Sequence, residues 1–335
     1  MRWRLLPTVL VFSAVILFLS GCDLKDGITQ EPGLNLIGSY DTPGQANDIF
    51  VQGDYAYIAD GSRGLLVLDI ASPYFPSFVA SYATPGPAYR VFVSEDYYCY
   101  VIYELSGRRK VNIFDISSPY NPVLAGNLDS TSADYLDIYV ANHYAYVAAG
   151  NNGFKIYNMI DPTRPSLLGV INGFFSQNRI WLSGNYIYMA YYNTSGGRSR
   201  YQPINVSNPS SPLLLTPVDL LNEPVHDLEV YNNYLYACFA DSGLRILDVS
   251  DQADPLIVSG YDTYGQANDI FIYGAGAFIA DGSNGTMMIN IANPGRPYLD
   301  GYYNASGSAQ GVFVSGGYIF VACGSSGIEV LENIR

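Results

Sequence analysis

What most narrows the fold of this chain is internal repetition. Residues 37–50, IGSYDTPGQANDIF, return almost unchanged at 258–271 as VSGYDTYGQANDIF, and the same offset of 221 lays ADGSRG (59–64) on ADGSNG (280–285). Weaker copies lie between them. A strand-opening position recurs at Asp48, Arg90, Asp137, Arg179, Asp227, Asp269 and Gly311, in steps of 42, 47, 42, 48, 42 and 42 residues. An apolar marker follows it in each copy: LLVLD (65–69), VNIFD (111–115), FKIYN (154–158), YQPIN (201–205), LRILD (244–248), TMMIN (286–290) and IEVLE (328–332). A period of this size marks a repeated unit that cannot bury its apolar faces alone and must stack on its neighbours.

Each unit reads as four short strands. In the first they run roughly over 48–52, 55–59, 65–70 and 76–82, separated by Gly53-Asp54, by Asp60-Gly61-Ser62 and by Ser72-Pro73-Tyr74-Phe75-Pro76. The proline pair recurs as SSPYNP, IDPTRP, SNPSSP and ANPGRP. No stretch shows a capped 3.6-residue periodicity, so no helical domain is expected. Four strands per unit of this length is propeller spacing. The seventh copy ends just after its third strand, and the missing fourth strand stands at the other terminus, as Leu34–Tyr40. The expectation is an all-β, seven-bladed β-propeller of four-stranded antiparallel blades. Strand 34–40 closes it on the C-terminal blade and leaves no open sheet edge.

These residues also carry a family resemblance. LLVLD and LRILD, with the period of about 42 residues and the S-x-P-x-x-P bend, resemble the LVIVD-repeat proteins of bacterial and archaeal envelopes. The resemblance spans about residues 34–335. It implies a β-propeller, assigns no activity and supplies no catalytic residues. Copies two, four and seven depart most from the pattern.

The N-terminus supplies an address. Residues 1–22 read MRWRLLPTVLVFSAVILFLSGC, two arginines before an apolar run shorter than a spanning helix needs. The LSGC ending resembles a bacterial lipobox, which implies that Cys22 becomes the lipidated N-terminus. The organisation expected is a removed leader (1–21), a lipidated tether (22–33) and the propeller (34–335), held at a membrane outside the cytoplasm, inner or outer undecided. Cys99, Cys238 and Cys323 are odd in number, and each falls within an apolar strand. They read as small buried hydrophobes rather than disulfides or zinc ligands.

Thirty acidic residues against sixteen basic ones give a net charge of −14, made more negative when Arg2 and Arg4 leave with the leader. Such a surface repels nucleic acid. The chain has no G-x-S-x-G, H-E-x-x-H, P-loop or EF-hand sequence, and no Trp-Asp dipeptide. No catalytic residue, metal or cofactor is expected. The ends of the third strands (Asp69, Asp115, Asn158, Asn205, Asp248, Asn290, Glu332) read as Asx-type caps, and Asp60 and Asp281 as ordinary turn formers. The openers Asp48, Arg90, Asp137, Arg179, Asp227 and Asp269 should ring the channel mouth beside His226. Their alternating signs suit inter-blade ion pairs that fix register.

Basic residues concentrate in copies two and four: Arg90, Arg108, Arg109, Lys110, Arg179, Arg198 and Arg200. The same copies carry the longer connections ELSGRRK and YYNTSGGRSRY, with Lys110 and Arg200 where five copies have glycine. In such blades the second-to-third connection and the linker to the next blade share one face, so these residues should crowd one sector of it. Tyr191, Tyr192 and Tyr201 would offer flat surfaces beside them. Arginine suits planar contact with carboxylate, phosphate or sulfate. The reading is a non-enzymatic, membrane-anchored propeller lipoprotein binding a protein partner or an anionic ligand on the loop face of blades two to four, its oligomeric state open. The alternatives are an enzyme acting on an anionic glycan or ester, and a scaffold subunit of an envelope complex.

Overall fold

The computed structural model of the chain describes residues 33–128, 134–173, 176–193, 196–252 and 254–334. The chain divides into residues 1–31 and 32–335. The leader, Cys22 and the tether as far as residue 32 lie outside the described residues, so the account concerns the second unit.

Its strands fall into seven antiparallel sheets. In the first blade, β2 (Asp48–Gln52), β3 (Tyr55–Ala59), β4 (Leu65–Asp69) and β5 (Ser77–Tyr82) lie side by side in chain order, from the channel outwards. The innermost strands touch in cyclic order, the seventh, Gly311–Ser315, resting on β2. Second-to-third hairpins and blade-to-blade linkers lie on one face, here the upper. Innermost hairpins and proline bends lie on the lower.

Side-chain alternation explains why the strands read as nearly continuous apolar runs. Within β3, Ala56 and Ile58 pack with Phe320, Ala322, Ile328 and Val330 of blade seven. Tyr57 and Ala59 turn the other way, onto Val91, Cys99, Val101 and Phe114 of blade two. Seven such clusters each join two adjacent blades, so every sheet is covered on both faces. Cys99, Cys238 and Cys323 are free and buried within them.

The outer strands carry a repeated irregularity. Val67 pairs Ala80 and Leu68 pairs Phe78, so Val79 is bypassed as a bulge, and five further blades shift register at the same place. Bulges increase local twist, which lets the outer edge wrap the next blade. A Cβ at Gly38 would lie 2.2 Å from the Pro73 carbonyl oxygen, and one at Gly169 equally close to that of Pro209. The proline bend of one blade therefore seats on a glycine in the outer strand of the blade before it.

Blade four departs from this scheme. Its outer strand is split into Leu213–Leu214 and Val218–Asp219, which pair opposite ends of the third strand, Arg198–Asn205. Pro203 and Pro217 lack the amide protons a continuous ladder needs. The Gln202 amide instead donates to the Leu215 carbonyl at 2.7 Å.

The third-strand caps are as expected. Asp69 accepts the Ala71 amide, and Asp115, Asn158, Asn205, Asp248 and Asn290 accept the amide two residues on in the same way. Glu332 instead accepts from Asn35. Asp60 and Asp281 differ from the ordinary turn residues expected. Both are fully buried, against Thr42 and Gly44 or Thr263 and Gly265 of the linker entering their blade. None of the four oxygens has a well-aligned hydrogen bond, and burial pushes Asp281 up to about 6 and Asp60 in the same direction. They brace a linker rather than cap a turn.

Closure follows the expected route. β1 (Leu34–Tyr40) pairs antiparallel with the third strand of blade seven, Ile328–Asn333, from Leu34↔Asn333 to Tyr40↔Ile328. The Gly33 carbonyl accepts the Ile334 amide at 3.0 Å, so the propeller begins at residue 33. Deleting residues 34–40 bares a strand edge and uncovers apolar contacts of Leu34 and Ile37. The expected loss is roughly 3–6 kcal/mol, at about 1.5–3 kcal/mol for each aliphatic side chain. Denaturant unfolding of the truncated chain checks this, and an unchanged midpoint in a soluble product contradicts the closure.

Candidate functional site

The channel is built from the innermost strands. At their upper ends the opener carboxylates do more than pair with arginine, because each accepts the backbone amide 43 residues ahead in the next blade. Asp48 accepts Val91, Asp137 accepts Ile180, Asp227 accepts Ile270 and Asp269 accepts Val312, at 2.9, 2.9, 3.4 and 2.7 Å. One turn of the pleat lower, Glu229 accepts Ile272 at 2.7 Å. At Gly311 a Cβ would lie 3.1 Å from the Asp48 carboxylate, so the seventh opener is glycine where blade one presses against it.

The predicted ion pairs form but extend beyond neighbours. Arg90 lies 3.9 Å from Asp48, 3.3 Å from Asp137 and 3.3 Å from Asp227, the last across the channel. Arg179 approaches Asp227 at 4.0 Å. Burial pushes Asp48 up to about 6 against the pull of Arg90 and two amides. It also raises Asp137, opposed by Arg90 and Arg179, and Asp269 further still, helped by the charges of Asp227 and Asp48. Burial draws the Arg90 guanidinium down, but Asp137, Asp227 and Asp48 together carry it well above the usual arginine value. Arg179 falls to about 10, from burial and then repulsion by Arg90.

Above this ring is a mouth of about 250 Å³ lined by Asp48, Asp269, Arg90, Arg109, Arg179 and His226, with the amides of Asn47, Asn268 and Gln310. Arg109 reaches it with its guanidinium 4.9 Å from the centre of the Tyr89 ring. His226 is a rim residue, and burial and then the charge of Arg179 lower its imidazole pKa.

The rest of the expected basic sector does not converge. Arg108, Arg109 and Lys110 lie in the strand Arg108–Asp115, and Arg198 and Arg200 in Arg198–Asn205, not in loops. Blades two and four have eight-residue second and third strands, so their hairpins project upward as paired ladders. Such strands need no positive φ where the other copies use glycines such as Gly64 (φ 85°) and Gly243 (φ 70°). Arg198 and Arg200 both pair with Asp219 of the split strand, at 3.4 and 2.7 Å. Tyr191 and Tyr201 are 6% and 0% exposed and belong to the core between blades, so they offer no surface; Tyr192 stays half-buried. Lys155, not anticipated, stands near Lys110 instead; burial and then that charge lower its pKa.

Below the charged ring the channel widens into a second cavity of about 610 Å³. Its wall is an aromatic belt from the third position of the innermost strands: Phe50, Phe92, Tyr139, Trp181, Phe271 and Phe313. Ring centres follow one another at 4.4 Å (Phe271–Phe313), 4.7 Å (Phe313–Phe50), 5.4 Å (Phe50–Phe92), 5.1 Å (Phe92–Tyr139) and 5.3 Å (Tyr139–Trp181). Blade five supplies Glu229 at this position. The signal was present in the repeat alignment, two residues after each opener, but shows as a belt only once the blades close.

A family model described as "LVIVD repeat" matches residues 43–84, 134–172, 176–195, 224–263, 264–305 and 306–331. It passes over blade two (85–133) and the third and outer strands of blade four (196–223). No curated protein matches the chain in sequence. Among solved structures, the WD40 β-propeller domain of Doa1 is similar with a TM-score of 0.70 and 12% identity, over 90% of this chain and 97% of that one. The computationally designed Ika8 protein is similar with a TM-score of 0.60 and 9% identity, over 88% of this chain and 98% of that one. At these identities the likeness concerns the fold alone.

The charged ring yields a prediction. Arg90→Leu leaves three buried carboxylates without their shared cation, and is expected to cost about 3–5 kcal/mol near neutral pH. Carboxyls raised by burial bind protons more tightly folded than unfolded. Their contribution is therefore present at low pH and lost as pH rises through about 6, the value for Asp48. The deficit of the variant should shrink on acidification across that window. Chemical denaturation of both proteins as a function of pH checks it, and a deficit independent of pH counts against the assignment.

Proposed function

The chain belongs to the LVIVD repeat family, and from that premise we propose that it is a non-enzymatic, lipid-anchored propeller lipoprotein that binds a ligand or protein partner in the cell envelope. The supporting observation is the upper mouth, where Arg109, Arg179 and His226 from three blades meet around one small cavity. Arg109 makes no ion pair among the described residues, and Tyr89 holds its guanidinium in place. In a chain of net charge −14 this is where a carboxylate, phosphate or sulfate group finds complementary charge. The site is thus narrower than the loop sector of blades two to four, and its charge comes from Arg109 and Arg179 rather than Arg198 and Arg200.

An enzyme acting on an anionic glycan or ester would need a proton donor at this mouth. Asp48, with a pKa raised to about 6, is the nearest candidate. Both of its oxygens already accept amides, from Ile49 and Val91, which favours a binding role over catalysis.

Two measurements test the proposal. Arg109→Glu should weaken binding of inorganic phosphate, succinate or a uronic-acid oligosaccharide by about tenfold or more, with affinity falling as salt is added. Arg296→Glu, on an exposed proline bend of the lower face, is the charge-matched control. The anionic reading is wrong if no member of the panel binds and envelope proteins are captured equally by wild type and Arg109→Glu. Separately, Cys22→Ser should abolish lipid incorporation and move the protein out of the membrane fraction; an unchanged distribution removes the anchor.

A further inference from the structure

The lower cavity has the chemistry of a different ligand. Its wall is the aromatic belt, and all six rings remain partly exposed, five of them between two buried neighbours in the strand. Aliphatic side chains would close this space more simply, as Ile49 and Val51 do on the opposite face of β2. The six rings instead form an open arc around a cavity of about 610 Å³, and the arc is interrupted only at Glu229. Ring faces carry a negative quadrupole and attract cations.

The charges at both ends have the same sign. At the inner end four carboxyl groups, Asp48, Asp137, Asp227 and Asp269, face two guanidiniums, Arg90 in the cavity wall and Arg179 from the mouth above. At the lower rim stand Glu95 and Asp96, the latter 3.5 Å from the His143 imidazole. An anion entering from below meets carboxylates first and last. A neutral apolar molecule gains from the belt but nothing from the ends. A cation with a hydrocarbon surface satisfies both, since it tolerates a water-poor aromatic wall better than a small hydrated ion does.

We propose that the lower half of the channel binds a small organic cation, a quaternary or protonated amine carrying an apolar body, seated in the aromatic belt and entering from the proline-bend face. This site is separate from the upper mouth and does not depend on an anion being bound there. The two ends of the channel thus select opposite charges, with the ring of opener carboxylates and arginines between them.

The test uses the full chain carrying Trp3→Phe, so that Trp181 is the sole tryptophan and reports from the belt. Tetramethylammonium, choline and benzyltrimethylammonium serve as probes, with 3,3-dimethylbutan-1-ol as the uncharged isostere of choline. Saturable changes in Trp181 emission are expected with at least one cation, and choline should bind about tenfold or more tightly than its isostere. Calorimetry should give at least about fivefold weaker binding for Tyr139→Leu. Should that variant fail to fold, Asp96→Asn on the exposed rim should still weaken binding about twofold and reduce its salt dependence. Equal affinity for choline and its isostere, or no saturable binding of any of the three cations, overturns the proposal.

Discussion

Each blade is a thin sheet with two apolar faces, and neither face can be left in water. Every structural decision in this chain follows from that constraint. A single four-stranded sheet has no second layer of its own, so the cover must come from the blades on either side. Ala56 and Ile58 of β3 depend on blade seven, while Tyr57 and Ala59 of the same strand depend on blade two. The seven shared cores therefore form one cyclic structure. β1 matters because it completes the last sheet from the other end of the chain and covers the edge of that blade's third strand.

Wrapping seven sheets about an axis brings their innermost strands close together, and close approach there creates a polar problem. Amides at the upper ends of these strands lack a neighbouring ladder, and Asp48, Asp137, Asp227 and Asp269 supply acceptors from the preceding blade. Buried carboxylates are themselves costly, and Arg90 and Arg179 offset part of that cost. The balance is incomplete, as the raised carboxyl pKa values show. A structural solution to register has thus left a ring of concentrated, imperfectly neutralised charge in the middle of the channel. It divides the space above, which Arg109 enters, from the aromatic space below.

The departures from the repeat also have physical causes. Blades two and four lengthen their second and third strands, which converts a glycine turn into a continuing ladder and carries basic residues upward. In blade four, Pro203 of the third strand and Pro217 of the outer one interrupt their pairing, and the outer segment brings Asp219 beside Arg198 and Arg200. The charge excess in that copy is therefore largely spent within the blade. In copy two the Arg109 guanidinium makes no ion pair among the described residues and reaches the mouth beside Tyr89.

Period, strand number, blade count and the closing strand were all legible in the amino-acid sequence, because each rests on local signals that recur from copy to copy: short apolar runs in all seven and paired prolines in five. The Asx caps at the ends of the third strands were legible for the same reason, since donor and acceptor lie two residues apart. The site was legible only as a composition of charges. Linear order placed Arg198, Arg200 and Tyr201 beside Arg109, but it could not say that Asp219 neutralises the first two or that Tyr201 turns into the core. It listed Phe50, Phe92, Tyr139, Trp181, Phe271 and Phe313 some forty residues apart. Only closure of the ring brings them to within about 5 Å of one another, because side-chain direction and distance across the axis depend on the whole circle and not on any one repeat.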